Sequence, residues 1–147
     1  HKDLSQSEIR ALVGSTLIAA KFERLGDHAF RVAKFVSWVA AEDVQIPNEL
    51  TEMSGIVSRM VDDVLLCFLT DAINKVPEIM QRDSQVDYLH DYLTKILLQD
   101  LGEQNQEAAQ NTTQLLFCTR YLERMGDACT SVAKRVHFIV TGNRIKS

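Results

Sequence analysis

The chain has 147 residues, 46% of them hydrophobic and 24% charged, with a formal net charge of -4. That size and balance fit one globular domain able to bury a core without disulfides or a structural metal. The acidic balance speaks against a nucleic-acid partner, no signal peptide is visible, and no run reaches the ~18 apolar residues of a membrane span.

The first helix starts near Ser5 or Ser7, either of which can cap free N–H groups, with Glu8 in the first turn, and runs to about Glu42. Phe22, Leu25, Ala29, Val32, Val36 and Val39 fall at alternating three- and four-residue spacings, a bundle seam. Asn48, after Pro47, is the expected cap of a second helix carrying Leu50, Met53, Val57, Met60, Val61, Val64, Leu65 and Phe68 to about Ile73. Pro77 opens a third helix, since proline is tolerated only in a first turn. Val86, Leu89, Leu93, Ile96 and Leu97 form its apolar side, and Gly102 suits its end. A polar turn over Gly102–Gln106 leads to a fourth helix ending near Thr141, with a seam of Leu115, Cys118, Leu122, Met125, Cys129, Val132, Val136 and Ile139. Short connections imply antiparallel neighbours, so the fold class is all-α, an up-down bundle of four long helices. Cys67, Cys118 and Cys129 form no CxxC and lie in apolar runs, so they read as buried hydrophobes in a reducing, cytoplasmic compartment.

The two longest helices are copies of one another. Phe22-Glu23-Arg24-Leu25-Gly26-Asp27 matches Leu122-Glu123-Arg124-Met125-Gly126-Asp127 at an offset of 100 residues, and Val32-Ala33-Lys34 matches Val132-Ala133-Lys134. Residues 44–147 read as a complete three-helix repeat and residues 1–43 as the terminal helix of a preceding one, its other helices absent. The opening His1, in place of methionine, points the same way, to a fragment, a trimmed tag or renumbering.

Glu23 and Asp27 are spaced i, i+4, as are Glu123 and Asp127, and in both helices the pair points away from the seam towards solvent. Asp83 and Asp87 repeat the spacing on the third helix. If the third and fourth helices fold back about the turn, Asp83 comes level with Glu123, and four carboxylates converge on an oxygen-ligand site for iron, manganese, magnesium or zinc. Arg24 and Arg124 are the cations that would neutralise these acids instead. Gly26 and Gly126 each cost helix stability, which implies a close neighbour at both. His90 shares a face with Asp87, but no glutamate precedes a histidine by three residues as in di-iron bundles, so His90 and His28 read as ordinary histidines. No spacing supports nucleophilic catalysis.

At Glu23–Ala29 (E-R-L-G-D-H-A), Glu123–Ala128 (E-R-M-G-D-A), Arg82–Asp87 (R-D-x-x-x-D) and the closing Val136–Gly142, the sequence resembles the PhoU family over nearly its whole length, as the last four of six helices. The resemblance implies a non-enzymatic, cytoplasmic negative regulator of phosphate uptake and of the phosphate-starvation response. It implies a phosphate ABC transporter ATPase and a phosphate-sensing histidine kinase as partners, reached at the membrane through them. It also implies metal bound at Glu23, Asp27, Asp83, Asp87, Glu123 and Asp127. Lys21 and Tyr121 stand where the family often has Asp or Asn, and Lys21 weakens the first site. The apolar face that absent helices would leave on the first helix calls for cover, by missing chain or by a homodimer. The alternatives are a PhoU-like module of a sodium/phosphate cotransporter, a carboxylate-bridged metalloenzyme, or a plain structural bundle.

Overall fold

A computed structural model of the protein describes residues 3–102 and 104–146. They form α1 (Gln6–Glu42), α2 (Asn48–Thr70), α3 (Val76–Leu101) and α4 (Gln106–Thr141), with a 3-10 turn at Ile73–Lys75. Among the described residues there is no strand. His1, and Glu103 of the predicted turn, lie outside them.

Local chemistry sets the helix ends. At α1 the Ser5 hydroxyl accepts from the Glu8 N–H, while the Glu8 carboxylate accepts from the Ser5 N–H at 2.7 Å, a reciprocal capping box. Asn48 is not the cap of α2: it is the first helical residue, and Pro47 holds the cap position with no side-chain hydrogen bond. α2 also stops three residues short of the predicted Ile73, because Asp71 turns left-handed at φ 56°. Gly102 ends α3 in an ordinary right-handed conformation, φ -75°. Asn105 caps α4, its side-chain oxygen accepting from the Ala108 N–H at 2.9 Å. At the other end Gly142, at φ 75°, donates its N–H to the Phe138 carbonyl.

α4 is the central helix and packs against α1, α2 and α3. Met53, Met60, Ile79, Val86, Leu93, Cys129 and Ala133 are fully sealed in the core between α2, α3 and α4. Arg82 of α3 and Lys75 of the 3-10 turn both pair with Asp63 of α2, and Arg82 also holds Glu78 at 2.6 Å. α1 lies antiparallel along another side of α4. At Gly14 the side chain of Ile139 fills the place of a Cβ, which would stand 2.5 Å from Ile139 Cδ1.

The predicted α1 seam is half right. Leu25 is buried and Phe22, Val32 and Val39 are partly so, but Ala29 and Val36 are exposed, Val36 by 56%. The strip against α4 is Gly14, Ile18, Leu25 and Phe35. α1 carries two apolar strips, and only one has a neighbour among the described residues. In α4 both are covered: Gly126, Cys129, Ala133 and Val136 are buried, whereas their equivalents Gly26, Ala29, Ala33 and Val36 are exposed. No helix among the described residues is long and apolar enough to cross a membrane.

Candidate metal centre

α3 and α4 bring Asp83, Asp87 and Asp127 together, one carboxylate oxygen of each lying within 4.8 Å of the others. The helical period stacks Asp83 and Asp87 one turn apart on α3. The register differs from the predicted one by about a turn. Asp83 sits against Gly126 rather than level with Glu123. A Cβ at Gly126 would stand 3.1 Å from Asp83 Oδ1 and 3.4 Å from Val86, so the bare glycine makes room for the carboxylate. Glu123 lies one turn before Asp127 on the same strip of α4, near enough for Asp127 and Asp87 to shift its titration, although it is not one of the three.

The solvent-facing strip that the sequence predicts on α4 holds for Asp127, which is exposed as Asp87 is, but not for Glu123. Asp83 and Glu123 are partly buried, because three helices surround α4. Burial, reinforced by the charges of Asp87 and Asp127, pushes the Asp83 carboxyl up to about 6, with the Thr130 hydroxyl and Lys134 opposing. Burial, then the hydrogen bond to Asp127 and the charges of Asp127 and Asp87, pushes Glu123 up to about 7. Asp87 is raised by burial and by its Asp127 and Asp91 neighbours. Asp83 Oδ1 is buried without a hydrogen-bond partner. An orphaned acceptor, a cradle opened by a missing Cβ, and a surplus of negative charge all fit a bound cation. With only carboxylate oxygens in the group, the donor set suits magnesium, manganese or iron better than zinc, which usually takes nitrogen or sulfur as well.

Glu23 and Asp27 behave differently. Both are exposed on α1, outside the three-carboxylate group, and nothing lies within 4 Å of a Cβ at Gly26. The close neighbour expected at both glycines is present only at Gly126. Asp27 and Asp127 share a groove between α1 and α4 with Arg24, Arg31, Arg124 and His28. Among the described residues, neither Arg24 nor Arg124 forms an ion pair, so neither neutralises the acids by direct contact. His28 stacks on Tyr121, and burial with the nearby Arg124 and Arg31 lowers its pKa. His90 faces Asp91 at 3.3 Å and is no member of the group. Thr130 and Lys134 escaped the sequence reading, although heptad spacing from Glu123 and Asp127 puts both on the same strip. The three cysteines are free and buried, and burial pushes the Cys118 and Cys129 thiols up to about 12, which leaves them inert.

Comparison with known proteins bears on the fold and the family. The family model described as "PhoU domain" matches residues 50–136. The phosphate-specific transport system accessory protein PhoU homolog of Clostridium acetobutylicum is 32% identical over 139 residues, covering 94% of this chain and 63% of that protein. The homolog of Rhizobium meliloti is 30% identical over 138 residues, covering 92% and 58%. The chain thus spans about three-fifths of the length of these curated relatives. The crystal structure of the phosphate transport system regulatory protein PhoU from Streptococcus pneumoniae superposes with a TM-score of 0.83 at 26% identity, covering 98% of this chain and 68% of that one. PhoU from Pseudomonas aeruginosa, at 23% identity and a TM-score of 0.87 over 97% and 69%, shares the fold. By its helical architecture and by the match over residues 50–136, the chain belongs to the PhoU family.

Proposed function

We propose that this chain is the metal-binding part of a phosphate-signalling adaptor, a cytoplasmic protein that restrains phosphate uptake and the starvation response without turning over a substrate. The observation that carries the reading is the convergence of Asp83, Asp87 and Asp127, with Glu123 one turn away on α4. A cation there would fix the α3–α4 register and leave an open coordination side for a partner's carboxylate or for water. Binding is the chemistry that such a site offers on a bundle surface. The relatives, named as accessory and regulatory proteins of phosphate transport, support the same reading.

The exposed strip Gly26, Ala29, Ala33 and Val36 extends the proposal. It is the place where the helical hairpin of a first repeat would pack as α2 and α3 pack on α4, making Glu23 and Asp27 half of a second metal site. The adaptor role is tested by co-precipitating the full-length protein with the phosphate ABC transporter ATPase and the phosphate-sensing histidine kinase. Capture of either by the wild type, weakened in Glu123→Ala/Asp127→Ala, is the expected outcome. Capture of neither partner contradicts it.

A further inference from the structure

Along the α1–α4 groove from Asp27 and Asp127, towards the C-terminal end of α4, α1 and the last turns of α4 enclose a cleft of about 650 Å³. Lys21 and Arg24 enter it from α1, Lys134 and Arg135 from α4, and Arg144 from the segment after α4. No acid lines it, and among the described residues none of the five cations is in an ion pair. Apart from Ser131 the rest of the wall is apolar, chiefly Leu17, Ile18, Val132, Phe138 and Ile145, with the Arg144 guanidinium 5.6 Å from the Phe138 ring centre. In a chain of net charge -4, five unneutralised cations around one cleft are a marked local reversal.

The duplication supplies an internal comparison. The offset of 100 residues maps this cleft onto a second one near the other end of the α1–α4 groove, lined by Arg31, Lys34, Phe35, Trp38, Phe117, Cys118 and Tyr121 among others. That cleft is about half the volume, 320 Å³. Tyr121 stands in the place of Lys21, Phe35 in the place of Arg135, and Val44 is the counterpart of Arg144. Two cations therefore line one cleft and five line the other. The extra charge is a feature of one end and not of the repeated helix pair.

We propose that the cleft at the C-terminal end of α4 is a binding site for a small phosphorylated organic anion of the nucleotide class. Its volume is that of a small-molecule pocket. Phosphoryl oxygens would meet Lys21, Arg24, Lys134 and Arg135, arginine offering paired donors to each phosphoryl group. A flat or apolar body would lie on Phe138, Ile145 and Leu17 beside the Arg144 guanidinium. A free inorganic anion would satisfy the charges and leave the apolar wall unused. An acidic peptide would need a longer acid-free groove, whereas towards the middle of α1 and α4 this groove meets Asp27 and Asp127.

The test is calorimetric titration of the chain with ATP, pyrophosphate, adenosine and poly-glutamate at physiological salt. ATP is expected to bind saturably, pyrophosphate more weakly and adenosine not at all. Lys21→Glu/Arg144→Glu is expected to weaken ATP by about tenfold or more, the loss of charge-assisted contacts. Lys34→Glu, in the smaller cleft, is expected to leave the affinity within about twofold, as is Asp87→Asn. Circular dichroism and thermal melting establish that each variant is folded. Four outcomes overturn the proposal: no saturable ATP binding, ATP binding no tighter than pyrophosphate, poly-glutamate binding without ATP binding, or ATP binding lost in Asp87→Asn and retained in Lys21→Glu/Arg144→Glu. The last would place the nucleotide on a metal at the carboxylate group.

Discussion

Gly26 and Gly126 occupy the same place in the repeated motif and have opposite surroundings. With nothing within 4 Å of its Cβ position, Gly26→Ala removes only backbone freedom and is expected to raise stability by about 0.5–1 kcal/mol in chemical denaturation. Gly126→Ala presses on Asp83 Oδ1, so the helix-propensity gain is offset and the carboxylate is displaced. Its expected signature is weaker metal binding with little change in stability. The titration of the acids gives a second prediction. Asp83 and Glu123 are raised to about 6 and about 7, from ordinary values of 3.8 and 4.5. The folded chain therefore holds more protons than the unfolded one across this window. The stability this confers is present below about pH 4 and is lost as pH rises through about 7. Metal-free protein is expected to melt several degrees higher at pH 5 than at pH 8, on the order of 1 kcal/mol after discounting for solvent screening at groups this exposed. Manganese should reverse the trend, because a cation needs the deprotonated acids. Melting curves at the two pH values, with and without manganese, check both signs.

Among the elements, α1 and α4 show what a repeated pattern can and cannot reveal. Helix existence, a serine cap at Ser5 or Ser7 and the Gly142 stop were legible because each depends on residues within one turn of the terminus, and the structure settles the cap on Ser5, paired with Glu8. Ile73 was drawn into α2 by its apolar period, while Asp71 decided the stop by turning left-handed, and periodicity carries no signal for that. The Ala29–Val36 strip was legible as apolar but not as exposed, since covering it depends on a neighbour that α1 does not encode. The equivalent strip on α4 gives the test. Val36→Glu is expected to change stability by no more than about 0.5 kcal/mol, since the site is open. Val136→Glu places an unpaired charge in a position only 2% exposed and is expected to cost more than about 3 kcal/mol or to prevent folding. Equal effects in urea titration would mean that the two helices are not packed as described.

For the whole molecule, the candidate site was legible in membership more than in character. The doubled motif and the matched spacing of Asp83 and Asp87 named the acids. The raised proton affinities, the orphaned Asp83 oxygen and the support from Thr130 were not legible, because they arise from α4 being enclosed by three helices. The basic cleft was hidden too: Lys21 and Arg24 are far in sequence from Arg135 and Arg144, and only the antiparallel packing of α1 on α4 puts them around one cleft. The molecule thus carries opposite charges at neighbouring places along its central helix, one suited to a cation and the other to an anion. The cation side is the central claim, and elemental analysis of protein purified without a metal-affinity tag tests it most directly. Wild type should carry about one equivalent of magnesium, manganese or iron per chain, with folded Glu123→Ala/Asp127→Ala carrying much less. Equal metal content in the two proteins would contradict the account.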